Sequence, residues 1–403
     1  MGELLIVAIP DIVVLLAAYT MVLSVKFYKK IYQTYYQNHY KRGYAPYISL
    51  FVPCKGVDQH FERNIQDFLT NHYPRTKLFF IVDSLNDPAF SFLKEYVRNV
   101  PNAYVVVAGA AKSSGQKNHN LLQGIKVSEE RDDVYVFLDV HTTITSQQLR
   151  ELVQPLSNPS VTAAVGFRWN ILQHNTFGEK LYAFMVALQW TAMNCFWVPS
   201  IWGGATAIKR ETFEKMGVRE YWSKTVVDDM TLQQMIMQQR RKAVFVPTCV
   251  KETDHTITHV ADALAWFKRQ TLYVKYYLRP FWIGMAGLLL YVSANIIGLP
   301  ILLAYAVLYP SRKIVLFTSM KGAFVVFTML YVRLIKRPSN DNSKAFSWFW
   351  LAPVYLLLSS WACLSGSFVN VLRWKGIAYH LDYHGVVTKI VREKNSTAET
   401  LRR

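Results

Sequence analysis

Val134-Tyr135-Val136-Phe137-Leu138-Asp139-Val140-His141 decides how this chain is read. A run of apolar residues stops on Asp-x-His. A strand of that kind leaves its last side chains at the carboxyl edge of a sheet, where α/β folds keep their ligands. Comparable short runs lie at Tyr47–Pro53, Lys77–Asp83, Ala103–Ala108 and Val161–Arg168, with Val134–Asp139 among them. Helical segments fall between, near Gln59–Thr70, Ala89–Arg98 and Lys117–Glu130. Strands alternating with helices predict an α/β fold with a mostly parallel sheet covered on both faces.

Apolar residues make up 52% of the 403, unevenly distributed. Leu4 to Val25 is almost continuously apolar, broken by Asp11. A spanning helix needs about 20 such residues, so this reads as an anchor. A cleaved signal is the competing reading, but no Ala-x-Ala site precedes Lys26. Phe281–Tyr309, Ile314–Leu334 and Phe346–Leu372 are further apolar stretches, with the polar linker Arg337–Lys344 between the last two. The expected layout is an anchor over 1–30, a globular domain over 45–250, interfacial helices over 251–280, spanning or re-entrant helices over 281–375, and a tail over 376–403.

The net charge of +18 raises the question of nucleic acid. Its distribution excludes that reading, because the cations flank apolar stretches: Lys26, Lys29 and Lys30, then Arg333, Lys336 and Arg337, then Arg373 and Lys375. This is the positive-inside pattern. It places the amino terminus outside and the region after Lys26 in the cytosol. The basic tail (Arg373, Lys375, Lys389, Arg392, Lys394, Arg402, Arg403) belongs on the same side. One carboxy-terminal stretch is then interfacial or re-entrant, with Pro300 or Lys321 marking where regular spanning fails. Cys54, Cys195, Cys249 and Cys363 are far apart and form no Cys-x-x-Cys, so neither disulfides nor zinc are expected.

A second acidic cluster, Asp228-Asp229, leads into a helical run from Thr231 to Gln239. Adjacent carboxylates repel, which raises at least one pKa and suits a general base. The competing reading is a helix N-terminus, where aspartate complements the dipole. Asp139 and His141, two residues apart, are candidate metal ligands, and imidazole favours Mn2+ over Mg2+. Alternatively Asp139 caps the turn with Thr142 and Thr143. Asp83 and Asp87 sit where a nucleotide base or ribose can be held, although Asn86-Asp87-Pro88 is also a turn signature. Lys55 and Lys117 either meet phosphate or are solvated surface lysines. Trp202 offers a face to a sugar, and Gly203-Gly204 permits close approach of backbone to a ligand, with a plain turn as the alternative. The aromatic-rich run Leu181 to Trp197 is core or an interfacial acceptor-binding helix. Together the acidic clusters point to metal-assisted transfer from a phosphorylated donor at a membrane surface.

These residues resemble a known family. Lys55-Gly56-Val57-Asp58, His72-Tyr73-Pro74, Asp87-Pro88-Ala89, Lys117-x-x-Asn120-Leu121, Leu138-Asp139, Gly203-Gly204 and Asp228-Asp229 are similar to membrane glycosyltransferases of family 2, specifically the ceramide glucosyltransferase group. Arg373-Trp374-Lys375-Gly376 with Tyr379 resembles that family's Trp-Arg-x-Gly-Arg-Tyr tail. The likeness runs over nearly the whole chain. It implies a GT-A-type, Rossmann-like nucleotide-sugar domain inserted between transmembrane helices. It also implies Asp87 for the nucleotide, Asp139 for metal and diphosphate, Asp229 as base, and Asp228 at the place of the family's usual Glu. The implied donor is a UDP-sugar, with glucose first, and the implied acceptor is the hydroxyl of a membrane lipid, with ceramide first. A divalent cation, Mn2+ or Mg2+, is the implied cofactor. The protein would be a multi-pass membrane protein with its catalytic domain in the cytosol, in Golgi or ER membrane if eukaryotic and inner membrane if bacterial.

One departure stands out. The family has Arg-x-x-Arg-Trp after the base, whereas Arg269-Gln270-Thr271-Leu272-Tyr273 keeps the first Arg alone. Arg269 remains a donor-binding candidate, and Lys268 or Lys275 is a candidate for the missing charge. Other readings stay open at this point: transfer to diacylglycerol, a sterol or a hopanoid, a processive polysaccharide synthase, and a nucleotide-binding membrane scaffold without activity.

Overall fold

The computed structural model describes residues 2–36, 40–41, 43–71, 73–128, 132–195, 198–253, 257–334 and 345–392. His72, the end of the Lys117–Glu130 helix, Lys336, the Arg337–Lys344 linker, Trp197, Lys394, Arg402 and Arg403 lie outside them. In chain order the elements are α1 (Gly2–Ile31), β1 (Ile48–Pro53), α2 (Phe61–Leu69), β2 (Thr76–Val82), α3 (Pro88–Val97), β3 (Ala103–Val107), α4 (Gln116–Val127), β4 (Val134–Leu138), α5 (Ser146–Val153), β5 (Val161–Asn170), α6 (Phe177–Met193) and β6 (Ala205–Lys209). There follow α7 (Arg210–Lys215), α8 (Val218–Trp222), α9 (Asp229–Gln238), β7 (Lys242–Thr253), α10 (Val260–Tyr277), α11 (Arg279–Leu308), α12 (Arg312–Leu334), α13 (Ala345–Gly366), β8 (Val371–Trp374), β9 (Ile377–Leu381) and β10 (Val387–Arg392).

Seven strands form one sheet in the order β3-β2-β1-β4-β6-β5-β7. β3, β2, β1 and β4 are parallel, as the alternating pattern requires. β6 runs antiparallel to both β4 and β5, so the sheet is mixed beyond β4. All five residues of β4 are buried, which is why it reads as an unbroken apolar run rather than an alternating one. Register is fixed by an aromatic ladder. Tyr104, Phe79, Phe51 and Phe137 are cross-strand partners. Their rings stack with centroids 5.3, 5.3 and 5.7 Å apart. Each such pair adds about 0.5–1.5 kcal/mol beyond area burial. A slip of one residue would turn the whole ladder to the opposite face. The parallel strands therefore end at one edge, and the residues following Pro53, Val82 and Leu138 emerge there.

The chain packs as two compact units. One comprises 30–169, 197–253 and 369–403, and holds the large sheet with a second, three-stranded sheet β10-β9-β8. The other comprises 1–29, 170–196 and 254–368, and holds α1, α6 and α10–α13. This grouping differs from the sequence-based layout at two places. α6, expected within the 45–250 domain, belongs to the helical unit, while β8 and the tail strands belong with the large sheet.

Within the helical unit, α6 is core rather than an exposed interfacial helix. Twelve of its residues are buried. Tyr182 meets Trp266 of α10 edge-on at 4.8 Å, and Phe184 lies 5.3 Å from Tyr355 of α13.

Among the described residues, three helices are long and apolar enough to cross a membrane: Ala8–Thr34, Arg279–Leu308 and Arg312–Tyr331. Trp350–Gly366 is shorter. Pro300 and Lys321, the expected points where regular spanning fails, both lie inside continuous helices. The short stretch is the third, where the apolar run leaves α13 and enters β8. Lys321 does not break its helix because its charge is met. Its Nζ lies 2.8 Å from Asp11 Oδ2 of α1 and 3.3 Å from Tyr291 Oη of α11. Tyr291 in turn donates to Asp11 at 2.5 Å. Asp11, the one break in the first apolar run, thus ties three helices together. An unpaired ammonium in an apolar medium costs about 2.5–3.5 kcal/mol. Asp11→Leu alone should therefore lower the thermal midpoint of detergent-purified protein, and Asp11→Leu with Lys321→Met should recover most of the loss. Equal midpoints for the single and double variants would remove this clamp from the fold.

Candidate active site

The site grows from the carboxyl ends of β1, β2 and β4. Lys55, two residues past β1, pairs with Asp83, the residue after β2, at 3.1 Å. Asp87 opens α3 as its N-cap, and its Oδ1 accepts from Ala89 N at 2.9 Å and Gly56 N at 2.8 Å. The turn reading of Asn86-Asp87-Pro88 therefore holds. The same carboxylate also ties the loop after β1 to the loop after β2.

Lys117 forms the centre. It is the second residue of α4, and its Nζ lies 2.9 Å from Asp139 Oδ1 and 3.0 Å from Asp228 Oδ2. It also donates to Gly203 O at 2.9 Å. It is therefore not a solvated surface lysine: its charge meets two carboxylates. Burial acts to lower its pKa, but Asp139, Asp228 and Asp229 outweigh burial and hold it above the usual lysine range.

The side chain of Asp139 is turned to Lys117 and does not cap. The turn after β4 is closed by backbone instead, Thr142 N donating to Asp139 O at 2.8 Å. Asp228 behaves likewise: it sits at the N-cap position of α9, yet its side chain makes no cap bond. Burial raises its pKa to about 7, Asp229 and Asp139 push in the same direction, and Lys117 opposes them. Asp229 accepts from Gly203 N at 3.2 Å and Met230 N at 2.7 Å, and burial raises its pKa too. It is half-buried where Asp228 is buried, so of the two it is the more open to an incoming group.

The glycines serve this network. A Cβ on Gly203 would stand 2.7 Å from Asp228 Oδ2 and 3.0 Å from Lys117 Nζ. One on Gly204 would enter the ring of Trp202. What approaches the backbone closely here is thus the protein's own carboxylate, ammonium and indole. Trp202 is half-buried, folded over Gly204 and edge-on to Phe167 at 5.5 Å, which leaves it less of a free platform than expected.

As for a metal, no group of three His, Cys, Asp or Glu able to hold an ion exists among the described residues. Asp139 keeps 40% of its side chain exposed. His141 Nε2 lies 3.4 Å from Asp58, and its Nδ1 lies 3.5 Å from Asn64 Nδ2. Burial lowers the His141 pKa, so the ring is neutral as a ligand must be. Both nitrogens nevertheless face partners, which makes Asp139 the better donor of the expected pair. The residues fit a hard cation that draws its remaining oxygens from diphosphate and water, the habit of Mg2+ and Mn2+ in nucleotide sites.

Arg269 lies on α10 in the helical unit, where its Nε is buried with no hydrogen-bond partner among the described residues. Lys275 does not replace the missing charge. Its Nζ donates to Ser367 O at 2.7 Å and Gly366 O at 3.4 Å, closing the end of α13.

Sequence reasoning missed the role of the tail. Tyr379 of β9 is fully buried, and its hydroxyl accepts from Gln116 N at 3.1 Å, at the start of the helix that carries Lys117. Arg392 donates to Ala111 O and Gln116 Oε1, each at 3.0 Å. Thr225 forms a bridge with Val386, and Gly115 N donates to Thr225 O at 2.9 Å. The tail therefore braces both segments that present Lys117 and Asp228. The signal available was the resemblance of the tail, which marked Tyr379 without saying what it touches.

The family model described as Glycosyl transferase family 21 matches residues 9–387. The chain belongs to that family. The motifs had suggested family 2; the matching family is 21. Among solved structures, a mannosyltransferase from Pyrobaculum calidifontis, in complex with GDP-Man and Mn2+, superposes with a TM-score of 0.54 at 17% identity. The match covers 90% of this chain and 99% of that one. Glucosyl-3-phosphoglycerate synthase from Mycobacterium tuberculosis, with Mn2+, UDP and glucosyl-3-phosphoglycerate, gives 0.38 at 14% identity over 57% of this chain and 79% of that one. The fold of this family 21 glycosyltransferase is thus the GT-A type, a parallel sheet with its candidate site at the strand ends.

Two outcomes test the site. Gly203→Ala should move Asp228 and Lys117, and a displacement on the order of 1 Å lowers turnover about 10²-fold. Unchanged turnover would show the contact to be slack. Asp228, raised to about 7, holds a proton that the unfolded chain releases near pH 4. Its contribution to stability is fullest below that range and is lost as pH rises through 7. Calorimetry from pH 5 to 8 should show a decline that Asp228→Asn flattens; parallel curves would place the raised pKa elsewhere.

Proposed function

We propose that this family 21 enzyme is an inverting lipid glycosyltransferase, moving a hexose, with glucose first, from a UDP-sugar to the hydroxyl of a membrane lipid, with ceramide first. The observation that carries the reading is the position of Asp229. It is the half-open member of an acidic pair locked to Asp139 through Lys117, at the strand ends where the GT-A fold keeps its donor.

In this reading Asp229 takes the proton from the lipid hydroxyl. The alcohol oxygen forms a bond to the anomeric carbon as the bond from that carbon to the diphosphate oxygen breaks, and the electron pair leaves with UDP. Two N–H groups, of Gly203 and Met230, orient the carboxylate. Lys117 keeps Asp228 from competing, by holding its oxygen at 3.0 Å. Asp87, whose Oδ1 is committed to two backbone N–H groups, offers its other oxygen to the ribose. Asp139, with His141 as second donor, would hold a divalent cation, which neutralises charge growing on the leaving diphosphate.

The membrane arrangement follows the same proposal. α1 crosses once before the large sheet, α11 and α12 make a return pair, and the shorter apolar run of α13 stays on the cytosolic side. That parity keeps the tail strands on the side of the sheet they pack with, and agrees with the basic residues around both.

Asp229→Asn should lower transfer about 10²–10⁴-fold while donor binding stays within experimental error of wild type. Purified protein incubated with radiolabelled UDP-glucose, UDP-galactose and UDP-N-acetylglucosamine, each against ceramide, diacylglycerol and sterol, identifies donor and acceptor together. Labelled glycolipid from glucose and ceramide supports the reading. Labelled polymer, or full activity in the Asp229 variant, overturns it.

A further inference from the structure

We propose that Lys375, at the tip of the β8–β9 hairpin, is a binding residue for the diphosphate of the nucleotide donor. The inference rests on the functional reading above and adds to it a residue from the tail.

The first observation is the turn itself. β8 and β9 pair with Trp374 opposite Ile377, so Lys375 and Gly376 are its two turn residues. Both have positive φ, 45° for Lys375 and 72° for Gly376. Two-residue hairpins with both central residues in that region favour Asn-Gly, because glycine is unstrained there and the short polar side chain of asparagine hydrogen-bonds locally, whereas other side chains are strained. A lysine at the first position carries that strain where asparagine would relieve it, and strain of this kind collects at functional positions.

The second observation is where the hairpin is pinned. The Tyr379 hydroxyl receives Gln116 N, and Val387 N donates to Lys224 O at 2.9 Å. The tip is thereby set over the strand ends, where Lys55, Asp58, Asp87 and Asp139 are the charges that face Lys375. Lys375 is exposed to solvent by surface area yet closely surrounded by protein. A side chain standing in an open cleft meets both descriptions.

The third is charge balance. A nucleoside diphosphate brings negative charge into a cleft already rich in carboxylates. Lys55 is paired with Asp83, and Lys117 with Asp139 and Asp228. Lys375 has no ion pair among the described residues; its described partner is the neighbouring Trp374 ring, 5.8 Å away. Asp58, Asp87 and Asp139 face it without an ion pair to it among the described residues, so its ammonium is left for direct contact with a diphosphate.

The test compares full-length wild type, Lys375→Asn and Lys375→Arg in detergent with Mn2+, by calorimetric titration of UDP, GDP and uridine. Asparagine suits the turn, so charge is removed while the hairpin is kept, and the thermal midpoint checks this. Wild type should bind UDP more tightly than uridine. Lys375→Asn should weaken UDP about tenfold with uridine unchanged, and Lys375→Arg should stay within about threefold of wild type. Equal UDP affinity in wild type and Lys375→Asn, or equal losses for UDP and uridine, overturns the assignment and leaves the glycosyl-transfer reading standing. Wild type that binds neither UDP nor GDP overturns both.

Discussion

The ammonium of Lys117 is the constraint on which the catalytic unit depends. It stands between the end of β4, the start of α9 and the loop before β6, and it pairs with carboxylates from two of them. Without it, Asp139, Asp228 and Asp229 would repel one another in a site where the Asp228 carboxyl is buried from water. For Lys117 the attraction of the carboxylates outweighs burial and keeps the ammonium charged, whereas for Asp228 burial outweighs the lysine and raises the carboxyl to about 7. Removing one partner of such a set leaves an uncompensated charge, which is costlier than never having built the set. The acid–base character of the site and its stability therefore arise from the same few atoms.

Much of the α/β architecture was legible because it is carried by local signals. The five expected strands each lie within one or two residues of those observed, since doubly buried strands read as plain apolar runs. The antiparallel placement of β6 was not legible, because strand order depends on long-range pairing. The strand-end residues Lys55, Asp83, Asp87 and Asp139 were found for the same reason the strands were. What they do to one another was hidden. Nothing near Lys117 in the sequence says that it will reach Asp139 and Asp228, and nothing near Gly203 says that its missing side chain makes room for them. Asp11 and Lys321, 310 positions apart, looked like flaws in separate helices until the fold joined them.

The two units use charge in contrasting ways. In the helical unit the ion pair is closed, with Asp11, Lys321 and Tyr291 satisfying one another, and its effect is to specify which helices meet. In the catalytic unit several groups keep unused capacity: the half-open Asp229, the exposed part of Asp139, the second oxygen of Asp87. A clamp is complete without a ligand, whereas a site is not, and the described contacts separate the two on that ground.

The sheet-bearing unit is assembled from three stretches of chain, with two helical insertions between them. Residues 369–392, which contribute Tyr379 and the bridge to Thr225, follow all the described helices in the sequence. Without them, the start of α4 and the segment ahead of Asp228 lack their brace, although Asp87, Asp139, Asp228 and Asp229 are all present. The frame of the cleft thus comes from the far end of the described chain, so that a chain cut before residue 369 would keep the acidic side chains and lose what holds their segments in place.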